Sequence, residues 1–279
     1  MNKLRLQRKI REWLDEDIGS GDMSTTFLPD EKLTAHIKTR QAGILAGIDV
    51  ARLVFEELDR EIIFLTGFSD GNRFESGDIL ATISGSTHTI LTGERLALNL
   101  MAHLSGIATN TLQYVQALDG TGIKIVDTRK ATPGMRELEK YAVRKGGGYN
   151  HRMGLYDAVM LKDNHIASLD NDISKALDNI RSNIPITAKI EIECDSVEQV
   201  GRFSKENIDI IMLDNMSAKE MQESISIIKK NNPNIKIEVS GNVTLANIKD
   251  KAIKGVDYIS TSALVRAAYP VDLTLEILG

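Results

Sequence analysis

The sequence predicts an α/β protein, a parallel TIM-like α/β barrel preceded by an N-terminal α+β domain. Three observations carry this. From Lys124 onward, six short apolar runs alternate with helix-like segments, the signature of parallel βα units. Each run ends in a polar residue, namely Asp127, Lys162, Glu193, Asp214, Ser240 and Ser260, as strands do where a barrel presents its site. Ahead of this series, the first ~90 residues mix strands and helices without regular alternation.

The elements follow in order. Leu6, Ile10, Trp13 and Leu14 form one stripe of an amphipathic helix, which stops at Gly19-Ser20-Gly21-Asp22. Residues 33–38 alternate apolar and polar, a half-buried strand; 42–47 read as a turn and short strand, and 48–58 have helical spacing. Strands are expected at 61–66 and 78–84, parted by Gly71 and Gly77. A long helical pattern runs over 91–118, with a break expected at Ser105-Gly106. Glu94-Arg95 interrupts its apolar phase, and the bland reading there is a surface charge pair. The regular series then places strands at 123–127, 157–161, 187–193, 208–213, 235–239 and 256–260. Helices are expected at 134–145, 170–182, 196–203, 218–230 and 244–253. Residues 271–277 alternate, unlike buried barrel strands, and are assigned back to the first domain's sheet. The domains are therefore 1–110 plus 268–279, and 111–267.

Composition narrows the class. The 279 residues are 42% hydrophobic and 26% charged, normal for a globular protein. The lone Cys194 excludes an intrachain disulfide and fits a cytoplasmic location. The N-terminus lacks an apolar core of signal-peptide length, and no run approaches the ~18 apolar residues of a membrane span. The five histidines show no metal-ligand spacing. Residues 121–170 carry nine Lys and Arg against six Asp and Glu, a cationic island in a chain of net charge −5. Such an island suits an anionic small molecule rather than nucleic acid. Arg136, Lys140, Arg144 and Lys145 recur at helical spacing and read as a solvated helix face. Arg129, Lys130, His151, Arg152 and Lys162 abut Gly-rich turns and strand ends and read as a site.

Glu193 and Asp214 end successive strands. They suit general acid and base, or ligation of Mg²⁺ or a ribose diol. Helix capping, the plainer role, fits Asp195 and Ser217 better. Glu191 points to the same side as Glu193, a costly arrangement inside a barrel without cations to pair. Ser240-Gly241-Asn242 and Ser260-Thr261-Ser262 place small residues in the last two barrel loops, a recurring phosphate cradle. Lys162 at a strand end also admits a Schiff-base lyase.

Taken together, GDMSTT, GERLALNLMAHLSGIAT, the run from Asp127 to Ile166, EIECDSVEQ, IIMLDNMS, EVSGN and GVDYIS resemble the quinolinate phosphoribosyltransferases over nearly the full length. The resemblance implies an N-terminal α/β sandwich, an open seven-strand barrel, and a homodimer, or a higher oligomer, with shared sites. It implies quinolinate and phosphoribosyl pyrophosphate as substrates, Mg²⁺ as cofactor and no organic cofactor. Arg129, His151, Arg152 and Lys162 would hold the quinolinate carboxylates, with Arg95 reaching in from the partner subunit. Lys130 would contact pyrophosphate; Glu193 and Asp214 would face the ribose and Mg²⁺; Ser240, Gly241, Asn242 and the 260–262 loop would take the 5′-phosphate. Lys130, Lys162, Glu193 and Asp214 would be the catalytic group. The phosphate end departs from the family pattern, which has Gly at Asn242 and Ser262 and Thr-His-Ser at Val265-Arg266-Ala267, and TSALVRAAYPVDL is similar to the tail of a paralogous group of molybdenum-transport loci, so the alternative reading is a phosphoribosyltransferase acting on another aromatic acid.

Overall fold

The computed structural model describes residues 2–168 and 172–278, and the expected helix start at 170 lies outside them. The chain divides into two compact units. The first holds the chain up to Leu112, Glu137–Gly147 and the segment from Ala267; the second holds Gln113–Arg136 and Gly148–Arg266.

The first unit opens with α1 (Lys3–Ile18), whose Asn2 side chain accepts from the Arg5 amide and whose Leu6, Ile10 and Leu14 are buried. Next come β1 (Lys32–Thr39), β2 (Gly43–Ile44), α2 (Ile48–Leu58), β3 (Ile63–Leu65), β4 (Arg73–Phe74) and β5 (Ile79–Ser86). The residues of β1 that alternate in sequence alternate in burial, with Ala35 and Ile37 fully enclosed. The last strand, β12 (Leu273–Ile277), returns to pair antiparallel with β1, Ile37 opposite Leu275, in a sheet ordered β12-β1-β5-β3.

Helix α3 (Thr87–Ala117) corrects the expected break at Ser105-Gly106, since it runs unbroken for 31 residues. Both residues are explained by close approach. The Ser105 hydroxyl donates to Ala46 O and accepts from Ala46 N, at 3.1 and 3.0 Å. A Cβ at Gly106 would sit 2.1 Å from the Tyr269 carbonyl oxygen. Helix α4 (Arg136–Lys145) brings a second correction. Lys140 is buried rather than solvated, next to Glu139, whose carboxylate meets His103 Nε2 at 3.1 Å. Gly146 ends this helix where a Cβ would lie 2.3 Å from Ala108 O, so that glycine also serves packing.

The second unit is built on β6 (Lys124–Val126), β7 (Val159–Leu161), β8 (Ile190–Cys194), β9 (Ile210–Asp214), β10 (Lys236–Ser240) and β11 (Tyr258–Ser260). All pair in parallel, in the order β6-β11-β10-β9-β8-β7. Beyond β6, Tyr149 bridges Val126, so the segment before His151 takes the place of a seventh strand in an open sheet. Alternate residues part the two faces: Ile190, Ile192 and Cys194 are fully buried on one side, while Glu191 and Glu193 take the other.

Between the strands run α5 (Asp163–Ala167), α6 (Ile173–Asn183), α7 (Val197–Phe203), α8 (Ala218–Asn231), α9 (Ile248–Lys251) and α10 (Ala263–Arg266). Ser217 caps α8 in a capping box with Glu220, the role the sequence suggested for it. The helix expected over 244–253 shrinks to α9, because the Asn247 side chain accepts from the Thr244 amide at 2.8 Å and holds the entry as a turn.

Candidate active site

The carboxyl ends of all six parallel strands line one cavity of about 470 Å³. Thr128, Arg129 and Lys130 follow β6, Lys162 follows β7, and Glu193, Asp214, Ser240 and Ser260 come from β8 to β11. One sheet whose six ends converge on one cavity is curled, which is the barrel the sequence pointed to. A second cavity of about 420 Å³ is bounded by Gly241, Asn242, Thr244, Thr261, Ser262 and Arg266. Thr128, Lys130, Asp214, Ser240 and Ser260 line both. The result is a two-lobed cleft. One lobe is cationic; the other is ringed by small residues with Arg266 at its edge.

An acidic cluster in the barrel interior underlies His151 and Arg152, between the cationic lobe and a larger cavity. Asp127 is buried at the end of β6 and accepts from Asn150 Nδ2 at 2.6 Å and from the His151 amide at 2.9 Å. This fixes the segment that delivers His151 and Arg152. His151 Nε2 then lies 3.0 Å from Glu191 and 3.4 Å from Glu238, both buried in the barrel interior. Burial pulls the His151 pKa down while the hydrogen bonds to the two carboxylates pull it up, so the imidazole and the carboxylates compete for one proton. The geometry decides between them. His151 Nδ1 accepts from the Arg152 amide at 2.7 Å, which a protonated Nδ1 could not do. The proton belongs instead to the carboxylates, where burial and the neighbouring Glu238 charge push Glu191 up to about 7.

Arg152 donates to Ala158 O at 3.1 Å, and burial followed by the charge of Arg129 lowers its pKa, so these two guanidinium groups repel across the lobe. An anion between them relieves that repulsion. Lys162 Nζ meets Glu193 at 2.5 Å. An amine so engaged is not free to add to a carbonyl, which disfavours the lyase reading. Asp214 accepts from Asn215 Nδ2 at 2.7 Å.

Of the residues expected in the site, Arg129, Lys130, His151, Arg152, Lys162, Glu193, Asp214, Ser240, Gly241, Asn242, Ser260, Thr261 and Ser262 line one lobe or the other. Arg95 does not join them. It lies on α3 in the first unit, largely exposed, 3.6 Å from Glu94. The sequence reading missed Glu238 and Asn215. Glu238 was accessible to the argument applied to Glu191, since it precedes Ser240 by two residues and so points to the same side of its strand.

Among the described residues, His151, Glu191 and Glu238 are the group of three metal-ligating side chains that converges, their ligand atoms within 4.8 Å of one another. Mg²⁺ prefers oxygen ligands and retained water, which this buried, imidazole-bearing set does not favour. The half-exposed Asp214 suits it better. Glu193, already held by Lys162, has less capacity left for a cation than Asp214. A larger cavity, of about 880 Å³, opens at the opposite ends of the strands. Its lysines are already engaged, Lys189 with Asp209 and Lys236 with Asp257, both at 2.8 Å, and Lys124 over the Tyr149 ring. Barrel chemistry belongs at the carboxyl ends, and the two-lobed cleft is the better site.

Fold and cleft thus define a barrel protein with a two-lobed cleft at the carboxyl ends of its strands, one lobe of it cationic. Comparison with known proteins makes this specific. Residues 22–105 match the quinolinate phosphoribosyl transferase N-terminal domain and residues 107–276 the C-terminal domain, so the chain belongs to the quinolinate phosphoribosyltransferase family. It is 45% identical to a probable nicotinate-nucleotide pyrophosphorylase (carboxylating) of Synechocystis, over 96% of this chain and 91% of that one. It is 38% identical to the corresponding protein of Bacillus subtilis, over 99% and 95%. The solved structure of NadC from Streptococcus pyogenes superposes with a TM-score of 0.92 at 39% identity, covering 100% of this chain and 99% of that one. No helix among the described residues is long and apolar enough to cross a membrane.

Proposed function

We propose that the chain transfers the phosphoribosyl group of phosphoribosyl pyrophosphate to quinolinate, with loss of CO₂, forming nicotinate mononucleotide and pyrophosphate in NAD biosynthesis. The observation that carries this is the two-lobed cleft. A dicarboxylate fits the lobe of Arg129, Arg152 and Lys162, and a sugar phosphate fits the small-residue lobe, with Lys130 and Asp214 in the wall between them. The pyrophosphorylase names of the relatives support the same acceptor over the paralogous one.

The chemistry follows from the charges. Arg offers a carboxylate two parallel hydrogen bonds, and the fixed cations set the pyridine ring at an orientation that aims its nitrogen at C1 of the ribose. As that nitrogen bonds C1, the C1–oxygen bond breaks and pyrophosphate departs with the electron pair. Positive charge develops on the sugar, and Asp214 and Glu193 are the carboxylates able to stabilise it. Lys130 balances the leaving pyrophosphate. Asp214 and Glu193 would hold Mg²⁺, which would supply further neutralisation of phosphate charge. The product is a pyridinium. It accepts the electron pair of the carbon–carboxylate bond beside the ring nitrogen, CO₂ leaves, and a proton takes its place on that carbon. No organic cofactor is required.

The functional unit we propose is a cytoplasmic homodimer in which Arg95 of one subunit reaches the acceptor lobe of the other. The exposure of the Arg95 side chain supports this. The test is direct substitution. Arg152→Ala should lose quinolinate binding while retaining phosphoribosyl pyrophosphate, and equal losses of both ligands would refute the division of the cleft.

A further inference from the structure

Among the described residues, two that are not glycine have positive φ, Asn215 at 56° and Asn242 at 49°. They touch each other beside Asp214. Asn215 Nδ2 donates to Asp214 Oδ2 at 2.7 Å, and Asn242 Nδ2 donates to Asn215 Oδ1 at 3.0 Å. The direction of this chain is dictated by chemistry. An ionised carboxylate only accepts, so Asn215 must turn its NH₂ to Asp214 and its oxygen away. That oxygen then requires a donor, which is the Asn242 amide. Asn242 is itself anchored, its carbonyl accepting from Asn247 Nδ2 at 2.9 Å.

The backbone is shaped around the same contact. Asn215 N donates to Ser240 O at 3.2 Å, tying the end of β9 to the end of β10. A Cβ on Gly241 would stand 2.3 Å from Asn215 Oδ1 and 2.5 Å from its Cγ. Gly241 is therefore required by the Asn215 side chain lying across it, apart from any phosphate nearby. Two left-handed non-glycine residues are a local cost that persists where surrounding structure enforces it, and such strain gathers at functional sites.

We infer that Asn215 and Asn242 are positioning residues that hold the Asp214 carboxylate in a single orientation toward the ribose and its metal ion. This deepens the phosphoribosyl-transfer reading and rests on it for the role of Asp214. Asn242, which stands where the family pattern has glycine, then acts through Asn215 rather than as a direct phosphate ligand.

The test uses glycine, which adopts positive φ freely and so removes each amide without straining the backbone. Asn215→Gly should lower kcat/KM for phosphoribosyl pyrophosphate at least tenfold and raise the Mg²⁺ concentration needed for half-maximal rate. Quinolinate affinity and thermal midpoint should hold. Asn242→Gly should do the same more weakly, and the double variant should be no worse than Asn215→Gly alone, as two links of one chain require. Asn242→Asp tolerates the same backbone but cannot donate to Asn215, so it should lose at least as much as Asn242→Gly. Wild-type kinetics in Asn242→Gly and Asn242→Asp, or losses that multiply in the double variant, would overturn the inference. A readout free of turnover separates it from the reading beneath it. The Asn215 side-chain amide resonance, assigned by its disappearance in Asn215→Gly, should shift in Asn242→Gly. If it does not shift, the relay is wrong whatever the protein's activity. If the wild-type protein forms no nucleotide, the assignment of the site falls, and the role of Asp214 with it.

Discussion

Glu191 and Glu238 face each other in the barrel interior with His151 between them, two buried carboxylates sharing one imidazole. With its pKa raised to about 7 from 4.5, Glu191 holds its proton more tightly in the folded chain than in the unfolded one. Stability from this group is therefore fully present below the unfolded value and is lost as pH rises through 7. Glu191→Gln mimics the protonated form at all pH values. The difference in unfolding free energy between variant and wild type should thus be near zero at pH 4.5 and reach roughly 3 kcal/mol in the variant's favour above pH 7. Denaturant titrations at intervals across that range measure it, and a constant difference would place the proton elsewhere. At the rim of the same lobe, Arg152→Ala and Lys162→Ala should each cost roughly 1.5–3 kcal/mol of quinolinate binding, read by calorimetry. The Lys162 variant should also free Glu193, its ion-pair partner at 2.5 Å. The cationic half of this cleft was legible in the sequence because Arg129, Lys130, His151, Arg152 and Lys162 interrupt turns and strand ends. The acidic half was less so. Asp127 and Glu191 were readable from their strand positions, and Glu238 by the same argument, but their meeting at the His151 segment is set across the barrel, which spacing along one strand does not record.

Glycines inside helices were the hardest signals to read. Gly106 looks like a helix break, and only the backbone of Tyr269 packed against it shows why α3 continues through it. Gly106→Ala should therefore destabilise by about 1–3 kcal/mol through overpacking, although alanine is the better helix former. Gly201 in α7 is the control, since nothing lies within 4 Å of its Cβ position. Gly201→Ala should stabilise by about 0.5–1 kcal/mol. Urea midpoints of the two variants should move in opposite directions. Longer elements were readable because they repeat: α2, α8 and β1 each present an apolar period long enough to identify. Helices α5, α9 and α10 have five, four and four residues, too few to show a period. Of the two-residue strands, β2 falls within the short strand expected over 42–47, whereas β4 is too short to show a period.

For the molecule as a whole, the βα alternation and the return of β12 to the first sheet followed from pattern, because a parallel strand buried on both faces and an antiparallel strand buried on one face differ in sequence. Assembly does not leave such a trace, and the dimer we propose rests on Arg95. An Arg95→Ala protein mixed with an Arg152→Ala protein under subunit exchange should regain activity, since half of the sites in each heterodimer carry neither lesion. Mixing that forms heterodimers and restores nothing would exclude a shared site. The central claim, that one cleft joins a dicarboxylate to a phosphoribosyl group, is tested most directly by the reaction itself. Purified protein given quinolinate, phosphoribosyl pyrophosphate and Mg²⁺ should release CO₂, pyrophosphate and nicotinate mononucleotide in equal amounts, and Arg152→Ala should lower all three in the same proportion at limiting quinolinate. Release of pyrophosphate without CO₂, or turnover with another aromatic acid and none with quinolinate, would contradict it.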